Sequence, residues 1–339
     1  MLLALTALLL VVIFSMKYCR GGFWPDYIAK PQCNVVKGIF ILLVFLSHFA
    51  SNIAVDDRMT TDWPYFVFQS KMGQLVVALF LFYSGYGVMK SIMTKGRVYI
   101  DGMPRKRLLT TMFNFDIAVL IFVLLAVIVR AEISPSRVFL SLLGWESAGN
   151  SNWYIFVIVS CYFMTWCVAR LIDGTKLKFL LLLSLLVLVF ACGLSFARPI
   201  WWYDTTMCYI LGVWYSRYEE KVESCMQSHY CKICLLLISS VLLLTVWNPF
   251  PGAFGNLRAM AFSLLCVLVT MKFKVDNQFL CWCGAMLFPL YIYQRLPMIV
   301  LGKCFPGLLC DCWIYVSILI CFSSVLCIAR FYHKWRVAL

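Results

Sequence analysis

One apolar stretch near the start of the chain carries a lysine and, eleven positions later, a histidine: Lys37 and His48. Eleven residues of α-helix make about three turns and rise about 16 Å, so both side chains are expected on one face, with His48 deeper. An imidazole titrates near neutrality and can take a proton from a hydroxyl and return it. The pair therefore predicts that His48 is a general base. Alternatively, His48 is a neutral histidine that is hydrogen-bonded between helices.

The next long apolar stretch contains hydroxyl groups and small residues. Tyr83 and Ser84 place hydroxyls inside it, while Gly85 and Gly87 remove side-chain bulk. Polar groups within an apolar helix are costly and favour a functional role, whereas small residues favour close helix approach. Tyr83 and Ser84 are therefore interpreted either as substrate-binding groups or as part of simple helix packing.

Three consecutive cations follow this stretch: Arg105, Lys106 and Arg107. Cations beside an apolar segment commonly anchor its orientation in a membrane. They also bind phosphate groups, for which the planar guanidinium of arginine is well suited. Together with Lys37 they are candidate residues for an anionic substrate.

Three further candidates for substrate binding lie later in the chain. Asn152 and Trp153 stand at the start of one apolar stretch, and Arg295 lies inside another. An amide and an aromatic face can hold a sugar, although tryptophan is also an ordinary residue of the membrane interface. Arg295 either reaches that interface with its long side chain or orients a substrate oxygen.

The seventeen cysteines do not form a recognisable metal-binding or disulfide pattern. Most lie within apolar runs, where cysteine behaves as a small hydrophobic residue. Three close pairs occur, at Cys231 and Cys234, at Cys281 and Cys283, and at Cys310 and Cys312. Neither histidine nor a second close pair completes a tetrahedral set, so no metal site is predicted.

Composition indicates which elements must position these residues. Of 339 residues, 63% are hydrophobic and 13% are charged. A soluble domain needs a more polar exterior, whereas lipid does not. The apolar residues form continuous runs of roughly the 17–25 residues that cross a bilayer as a helix. We therefore predict an all-α polytopic transmembrane helix bundle of about eleven spans, a ten-helix core preceded by an extra helix.

The distribution of charge predicts the orientation of this bundle. Most of the 29 lysines and arginines fall in alternate loops, which explains the formal net charge of +14 without nucleic-acid binding. The alternation places the N-terminus outside and the C-terminus in the cytoplasm. The first span lacks preceding basic residues and is expected to be an uncleaved anchor. We predict one integral membrane domain over residues 1–339, with an added span and loop at 1–30 and a core at 31–339.

Several segments together resemble the acyltransferase-3 family of membrane O-acyltransferases. Lys37-x10-His48 is similar to an Arg/Lys-x10-His motif of that family, and 80–86 resembles its aromatic segment with Ser-Gly. The cations at 105–107 stand where the family has a basic cytoplasmic loop. Residues 150–154 resemble the start of a later span of that family, and residues 284–292 resemble its penultimate span. The landmarks follow the family order and cover roughly 33–300.

Some positions depart from the family pattern. Gln294 follows the stretch after which the family often has a histidine, so a second histidine is missing and Arg295 is open to a different role. The basic triplet also lacks an Arg-x-x-Arg spacing. These departures leave His48 in place but leave the acceptor open.

The resemblance implies transfer of an acyl group, usually acetyl from acetyl-CoA, to a hydroxyl of a cell-surface or lipid-linked carbohydrate. Acyl-CoA would be a substrate, with no permanently bound cofactor, and the location would be the bacterial inner membrane among its lipids. Lys37 and 105–107 would contact the donor phosphates. His48 would be the general base or would carry the acyl group transiently.

Two other functions fit a helix bundle of this size. A transporter of a polar or lipid-linked substrate has a similar number of spans, but the chain shows no internal repeat. A non-catalytic assembly factor for envelope polysaccharide would not need His48. Consumption of acyl-CoA separates both of these from an acyltransferase.

Overall fold

The computed structural model describes residues 1–52, 62–309 and 313–337. Cys310 and Cys312, one of the cysteine pairs considered above, lie outside the described residues. Within these ranges the chain is nearly all helical and adds only two three-residue strands, β1 (Met16–Tyr18) and β2 (Phe273–Val275). The prediction of an all-α helix bundle is confirmed.

The helices are numbered in chain order. They are α1 (Leu2–Phe14), α2 (Lys30–Ala50), α3 (Trp63–Met72), α4 (Leu75–Met103), α5 (Thr110–Ile128), α6 (Pro135–Leu142), α7 (Trp153–Leu171), α8 (Leu177–Ala197), α9 (Met207–Arg217), α10 (Glu219–Val246), α11 (Pro251–Lys272), α12 (Gln278–Ala285), α13 (Leu287–Tyr293), α14 (Arg295–Cys304) and α15 (Ile314–Trp335). A π-helical turn, Pro104–Leu109, joins α4 to α5, and a short 3-10 turn, Ile200–Trp202, precedes α9.

The helices have the length and apolar character of membrane spans. Among the described residues seven helical stretches qualify, and one of them, 63–128, contains α3, α4 and α5. A bent pair formed by α12 with α13 and α14 brings the number to eight. The total of eleven spans stays a prediction.

The bend between α12 and α13 has a local cause. The two parts meet at 70°, and the break falls at Met286. Proline lacks a backbone N–H, and its ring collides with the carbonyl four residues earlier. Pro289 therefore disrupts the helix at Ala285, immediately before the break. The bend turns the following residues, including Tyr291 and Arg295, toward the middle of the bundle.

Glycine permits two close helix crossings. A Cβ on Gly85 of α4 would lie 2.0 Å from the backbone oxygen of Tyr209, and a Cβ on Gly212 of α9 would lie 2.0 Å from that of Phe82. By contrast, a Cβ on Gly87 would meet nothing within 4 Å. Gly85 thus allows close helix approach as predicted, whereas the same prediction for Gly87 is wrong because Gly87 faces away from the crossing.

A second crossing joins α2 to α12. A Cβ on Gly38 would lie 1.9 Å from the Leu280 backbone oxygen, and a Cβ on Gly284 would lie 1.8 Å from the Asn34 backbone oxygen. No other residue type fits there without moving one of the helices. The helix that carries Lys37 and His48 is therefore held directly against the penultimate helical segment.

The helices α2 and α11 run antiparallel, and their termini define the two ends of the bundle. The strand β1 pairs with β2 just after α11 ends, and the Trp24 N–H, before α2 begins, donates to the Met271 oxygen at 2.8 Å. Near this ribbon, a 2.7 Å hydrogen bond from Lys17 holds the pKa of the Asp276 carboxyl below its usual range. We call this the Lys37 end of the bundle. The opposite end, where α2 stops and α7 and α11 start, is the His48 end.

Candidate active site

His48 lies in the last turn of α2, two residues before the helix ends. Its side chain is half-buried, and its Nδ1 is buried without a hydrogen-bond partner in the described part of the chain. The helix end around it is fixed, because Gln69 of α3 donates to both the backbone oxygen and the hydroxyl of Ser47 at 3.1 Å. The Asn52 amide donates to the His48 backbone oxygen at 2.9 Å. The imidazole is thus presented by a rigid support with a nitrogen free to bind.

Arg295 is the charged neighbour of this imidazole. Its guanidinium lies within electrostatic range of His48, and it forms no ion pair with any described residue. The bend after α12 explains the position, since it directs the start of α14 toward the end of α2. A cation without a carboxylate partner beside an imidazole can bind a negatively charged or developing oxyanion.

Two unpartnered polar groups adjoin Arg295. Tyr291 is 2% exposed and Gln294 is 1% exposed. The Gln294 amide nitrogen donates to the Tyr291 backbone oxygen at 3.0 Å, but the amide oxygen and the Tyr291 hydroxyl have no partner among described residues. Buried polar atoms of a native fold are normally satisfied, and exceptions indicate a missing water or ligand.

The start of α7 completes this cluster. The rings of Tyr154 and Tyr291 lie 5.2 Å apart, and the Tyr154 ring lies 6.1 Å from that of Phe80 in α4. Ser84 lies beside Tyr154, and Ser151 beside Tyr291. We call His48, Ser84, Ser151, Tyr154, Tyr291, Gln294 and Arg295 the His48 cluster.

Asn152 and Trp153 have different surroundings. The Asn152 amide donates to the Gly144 backbone oxygen at 2.8 Å and is buried, so its donor is already used within the protein. The Trp153 ring packs edge-on against Tyr154 at 6.1 Å. Both residues support the start of α7, and their contact with a substrate stays a prediction.

Tyr83 lies apart from the His48 cluster. It is buried, and its electrostatic neighbours are Cys33 of α2, Cys266 of α11 and Tyr215 of α9. Cys33 is one helical turn from Lys37, so Tyr83 faces the half of the bundle nearer the Lys37 end. The adjacent residues Tyr83 and Ser84 therefore point to different parts of the interior.

The structure brings Lys37 together with only one cation of the basic triplet. Lys37 is half-buried, and its positively charged neighbours are Lys30 and Arg107. Arg107 is also half-buried and lies 5.7 Å over the Tyr162 ring. Neither Lys37 nor Arg107 forms an ion pair within 1–52, 62–309 and 313–337. Two partly buried cations held together without a carboxylate are suited to an anionic ligand.

Arg105 and Lys106 are exposed on the π-helical turn. The turn begins after α4 has kinked at Gly96, which has a positive φ of 52° that glycine adopts readily. Consecutive residues of a helical turn point in different directions around its axis, so the three cations do not all point toward Lys37. Their shared role in donor binding stays a prediction.

Among the residues that the structure describes, no three His, Cys, Asp or Glu side chains come together. The described cysteines are all free thiols. The expectation that the protein has no metal site stays a prediction.

Sequence reasoning missed Ser151, Tyr154, Tyr291 and Gln294. Tyr291 and Gln294 could have been found as polar residues inside a long apolar run, where each polar group is a functional candidate. Ser151 and Tyr154 carry no such signal, because they stand at the edge of their apolar run.

The geometry suits the transfer of an acyl group to a hydroxyl. An unpartnered imidazole can remove the hydroxyl proton, and a neighbouring guanidinium can stabilise the oxyanion of a tetrahedral intermediate. His48 and Arg295 lie at one end of the bundle, whereas Lys37 and Arg107 lie toward the other.

Comparison with known proteins agrees with this chemistry. A family model described as an acyltransferase domain matches residues 30–332. No curated protein and no solved structure matches the chain. The match makes the protein an acyltransferase embedded in a membrane, which acts on an acyl donor and an acceptor. Because it covers nearly the whole chain, we conclude that this protein belongs to the acyltransferase-3 family, as the motif resemblance predicted.

Proposed function

We propose that the protein transfers an acetyl group from acetyl-CoA to a hydroxyl of a cell-surface or lipid-linked carbohydrate. The observation that carries this proposal is that His48 Nδ1, unpartnered among the described residues, lies within electrostatic range of the Arg295 guanidinium, which forms no ion pair with a described residue. A base and an oxyanion-binding cation are the two groups that an ester-forming transfer to a hydroxyl needs most.

The donor binds at the Lys37 end. Its phosphates are held by Lys37 and Arg107, with Arg105 and Lys106 adding attraction from the exposed turn. Lys37 and His48 share one face of α2, about 16 Å apart by helical rise. The long pantetheine arm of acetyl-CoA extends along this face, so the thioester approaches His48 while the phosphates stay outside the apolar region.

The transfer takes place in one step of nucleophilic attack. His48 removes the proton from the acceptor hydroxyl, and the oxygen attacks the thioester carbonyl carbon. Arg295 stabilises the resulting oxyanion, the carbon–sulfur bond breaks, and the thiolate of CoA takes the proton from the imidazolium. The products are an acetyl ester and free CoA. We favour this general-base role for His48 over a transient acyl-histidine because it needs only one covalent step.

The proposed orientation places the Lys37 end in the cytoplasm of a bacterium and the His48 end at the outer face of its inner membrane. Support comes from the excess of basic residues in alternate loops. The donor then arrives from the cytoplasm and the carbohydrate from the other side. The two substrates meet within the bundle.

Mass spectrometry of surface glycans tests the proposal. Cells with the gene should carry an acetyl mass on a glycan that cells without it lack, and His48→Ala should abolish that mass. His229 is an exposed histidine on α10, so His229→Ala is the matched control and should leave acetylation unchanged. Unchanged acetylation in His48→Ala cells would contradict the proposal.

A further inference from the structure

Among the polar side chains outside the His48 cluster that have a buried atom without a hydrogen-bond partner in the described residues, Asp204, Thr205 and Arg258 form one group. Asp204 is 8% exposed and Thr205 is 1% exposed. The structure assigns no hydrogen bond, among the residues it describes, to Asp204 Oδ1, Thr205 Oγ1 or Arg258 Nε, all of which are buried. Arg258 acts electrostatically on Asp204 without forming an ion pair. We call these three residues the Asp204 cluster.

The backbone around the Asp204 cluster is rigid. The Asp204 N–H donates to the Ile200 oxygen at 3.0 Å at the end of the 3-10 turn. Asn256 of α11 donates to the Tyr203 oxygen at 2.7 Å and accepts from the Met207 N–H at 3.0 Å. These bonds tie the start of α9 to the start of α11 and fix the backbone that carries Asp204, Thr205 and Arg258.

The cluster lies at the same end of the bundle as His48. The rings of Phe40 on α2 and Phe262 on α11 are 5.9 Å apart, which sets the relative height of these antiparallel helices. Toward the His48 end, Arg258 lies four residues beyond Phe262 and His48 lies eight beyond Phe40. With a rise of about 1.5 Å per residue, the Cα atoms of Arg258 and His48 differ in height by about 6 Å along the bundle axis.

The chemistry of the cluster favours one class of ligand. A carboxylate accepts hydrogen bonds from two neighbouring hydroxyls, a guanidinium donates to hydroxyl and ring oxygens, and a threonine hydroxyl does both. The carboxylate disfavours an anion such as phosphate, and the guanidinium disfavours a cation. A buried polar group without a hydrogen bond destabilises the folded protein. In native proteins such groups are normally satisfied by a ligand or by water, so the unpartnered atoms of Asp204, Thr205 and Arg258 indicate a binding site.

We propose that Asp204, Thr205 and Arg258 form a subsite that binds hydroxyls of the acceptor carbohydrate at the His48 end. This inference rests on the proposed function for the identity of the ligand as the acceptor. The subsite holds the sugar while a different hydroxyl is presented to His48. It accounts for polar residues that the transfer step itself does not use.

Binding of methyl glycosides to the full-length protein tests this subsite without turnover. The protein is purified in a detergent without sugar groups, and the probes are the methyl glycosides of glucose, galactose, mannose and N-acetylglucosamine. Tryptophan fluorescence reports binding, since Trp202 is close in sequence to Asp204. Wild-type protein should bind at least one of these glycosides. Asp204→Asn and Thr205→Val should each weaken that binding about tenfold or more through loss of one hydrogen-bonding group.

Thr206→Val is the matched control. The Thr206 hydroxyl is buried like that of its neighbour but already donates to the Trp202 backbone oxygen, so its glycoside affinity should stay within about twofold of wild type. Three results would each overturn the proposal. The affinity for the glycosides could fall equally in Asp204→Asn, Thr205→Val and Thr206→Val, it could stay at the wild-type value in both Asp204→Asn and Thr205→Val, or the wild-type protein could bind none of the glycosides. Acetyl transfer is measured separately, so failure of the proposed function and failure of the subsite give different results.

Discussion

The guanidinium of Arg295 and the imidazole of His48 lie within electrostatic range of each other, although they belong to helices at opposite ends of the chain. Close packing of α2 on α12 and the break before Pro289 produce this relationship. An imidazole and a guanidinium held by separate helices keep their relative geometry before a substrate arrives. Such preorganisation is the main source of electrostatic stabilisation in active sites.

Removal of the Arg295 charge should slow catalysis without weakening donor binding. Arg295→Gln is expected to lower kcat by roughly 10²–10³-fold, the cost of losing one oxyanion-stabilising group. Arg295→Lys should retain part of the activity, because the charge remains but the planar fork is lost. Steady-state kinetics with varied acetyl-CoA would measure both. A large rise in the KM for acetyl-CoA with unchanged kcat would instead place Arg295 in the donor site.

Lys37 and Arg107 should contribute to donor affinity. Lys37→Met and Arg107→Met are each expected to raise the Kd for acetyl-CoA about tenfold or more, since each removes a charge-assisted bond to phosphate. Lys178 is exposed near the same end, and Lys178→Ala should bind the donor like wild type. Calorimetry of purified protein would decide. Equal donor affinity in Lys37→Met, Arg107→Met and Lys178→Ala would contradict the assignment.

The Tyr291 hydroxyl should matter for activity and not for folding. Tyr291→Phe is expected to lower kcat about tenfold, because its buried hydroxyl, which has no partner within hydrogen-bonding geometry among the described residues, can bind substrate. Tyr293 lies on the same short helix, and its hydroxyl is likewise buried without a partner among the described residues. Its ring packs against Trp335 of α15 and not against Tyr154, so Tyr293→Phe is the matched control for an unpartnered hydroxyl outside the His48 cluster. Thermal unfolding should be similar for both variants. Equal kcat in the two would remove Tyr291 from the site.

The crossing of α4 and α9 should tolerate no added methyl group. Gly85→Ala and Gly212→Ala are expected to destabilise the protein by about 1–3 kcal/mol, because each new Cβ would collide with backbone. Gly87→Ala, two residues from Gly85, should be neutral or slightly stabilising, since alanine favours helix and meets nothing there. Unfolding in a denaturing detergent would rank the variants. Equal stability of Gly85→Ala and Gly87→Ala would show that this crossing is looser than described.

Features that depend on one helix could be predicted from the sequence. Continuous apolar runs established the all-α membrane class, and the motif order established the acyltransferase-3 family, which the family match confirms. The shared face of Lys37 and His48 follows from helical periodicity. The number of spans could not be settled in this way, because proline and glycine break several runs into helices of unequal length.

The sequence by itself determined the class of fold, the family and the residue most suited to act as a base, because hydropathy, periodicity and motif order are properties of neighbouring residues. Only the tertiary structure decided that Arg295 and Tyr291 belong to the His48 cluster, that Arg107 is the triplet cation beside Lys37, and that Gly85 packs where Gly87 does not. These relationships depend on the rotation of each helix about its axis and on where helices cross. Contacts between residues far apart in the chain set both, and no local pattern encodes them.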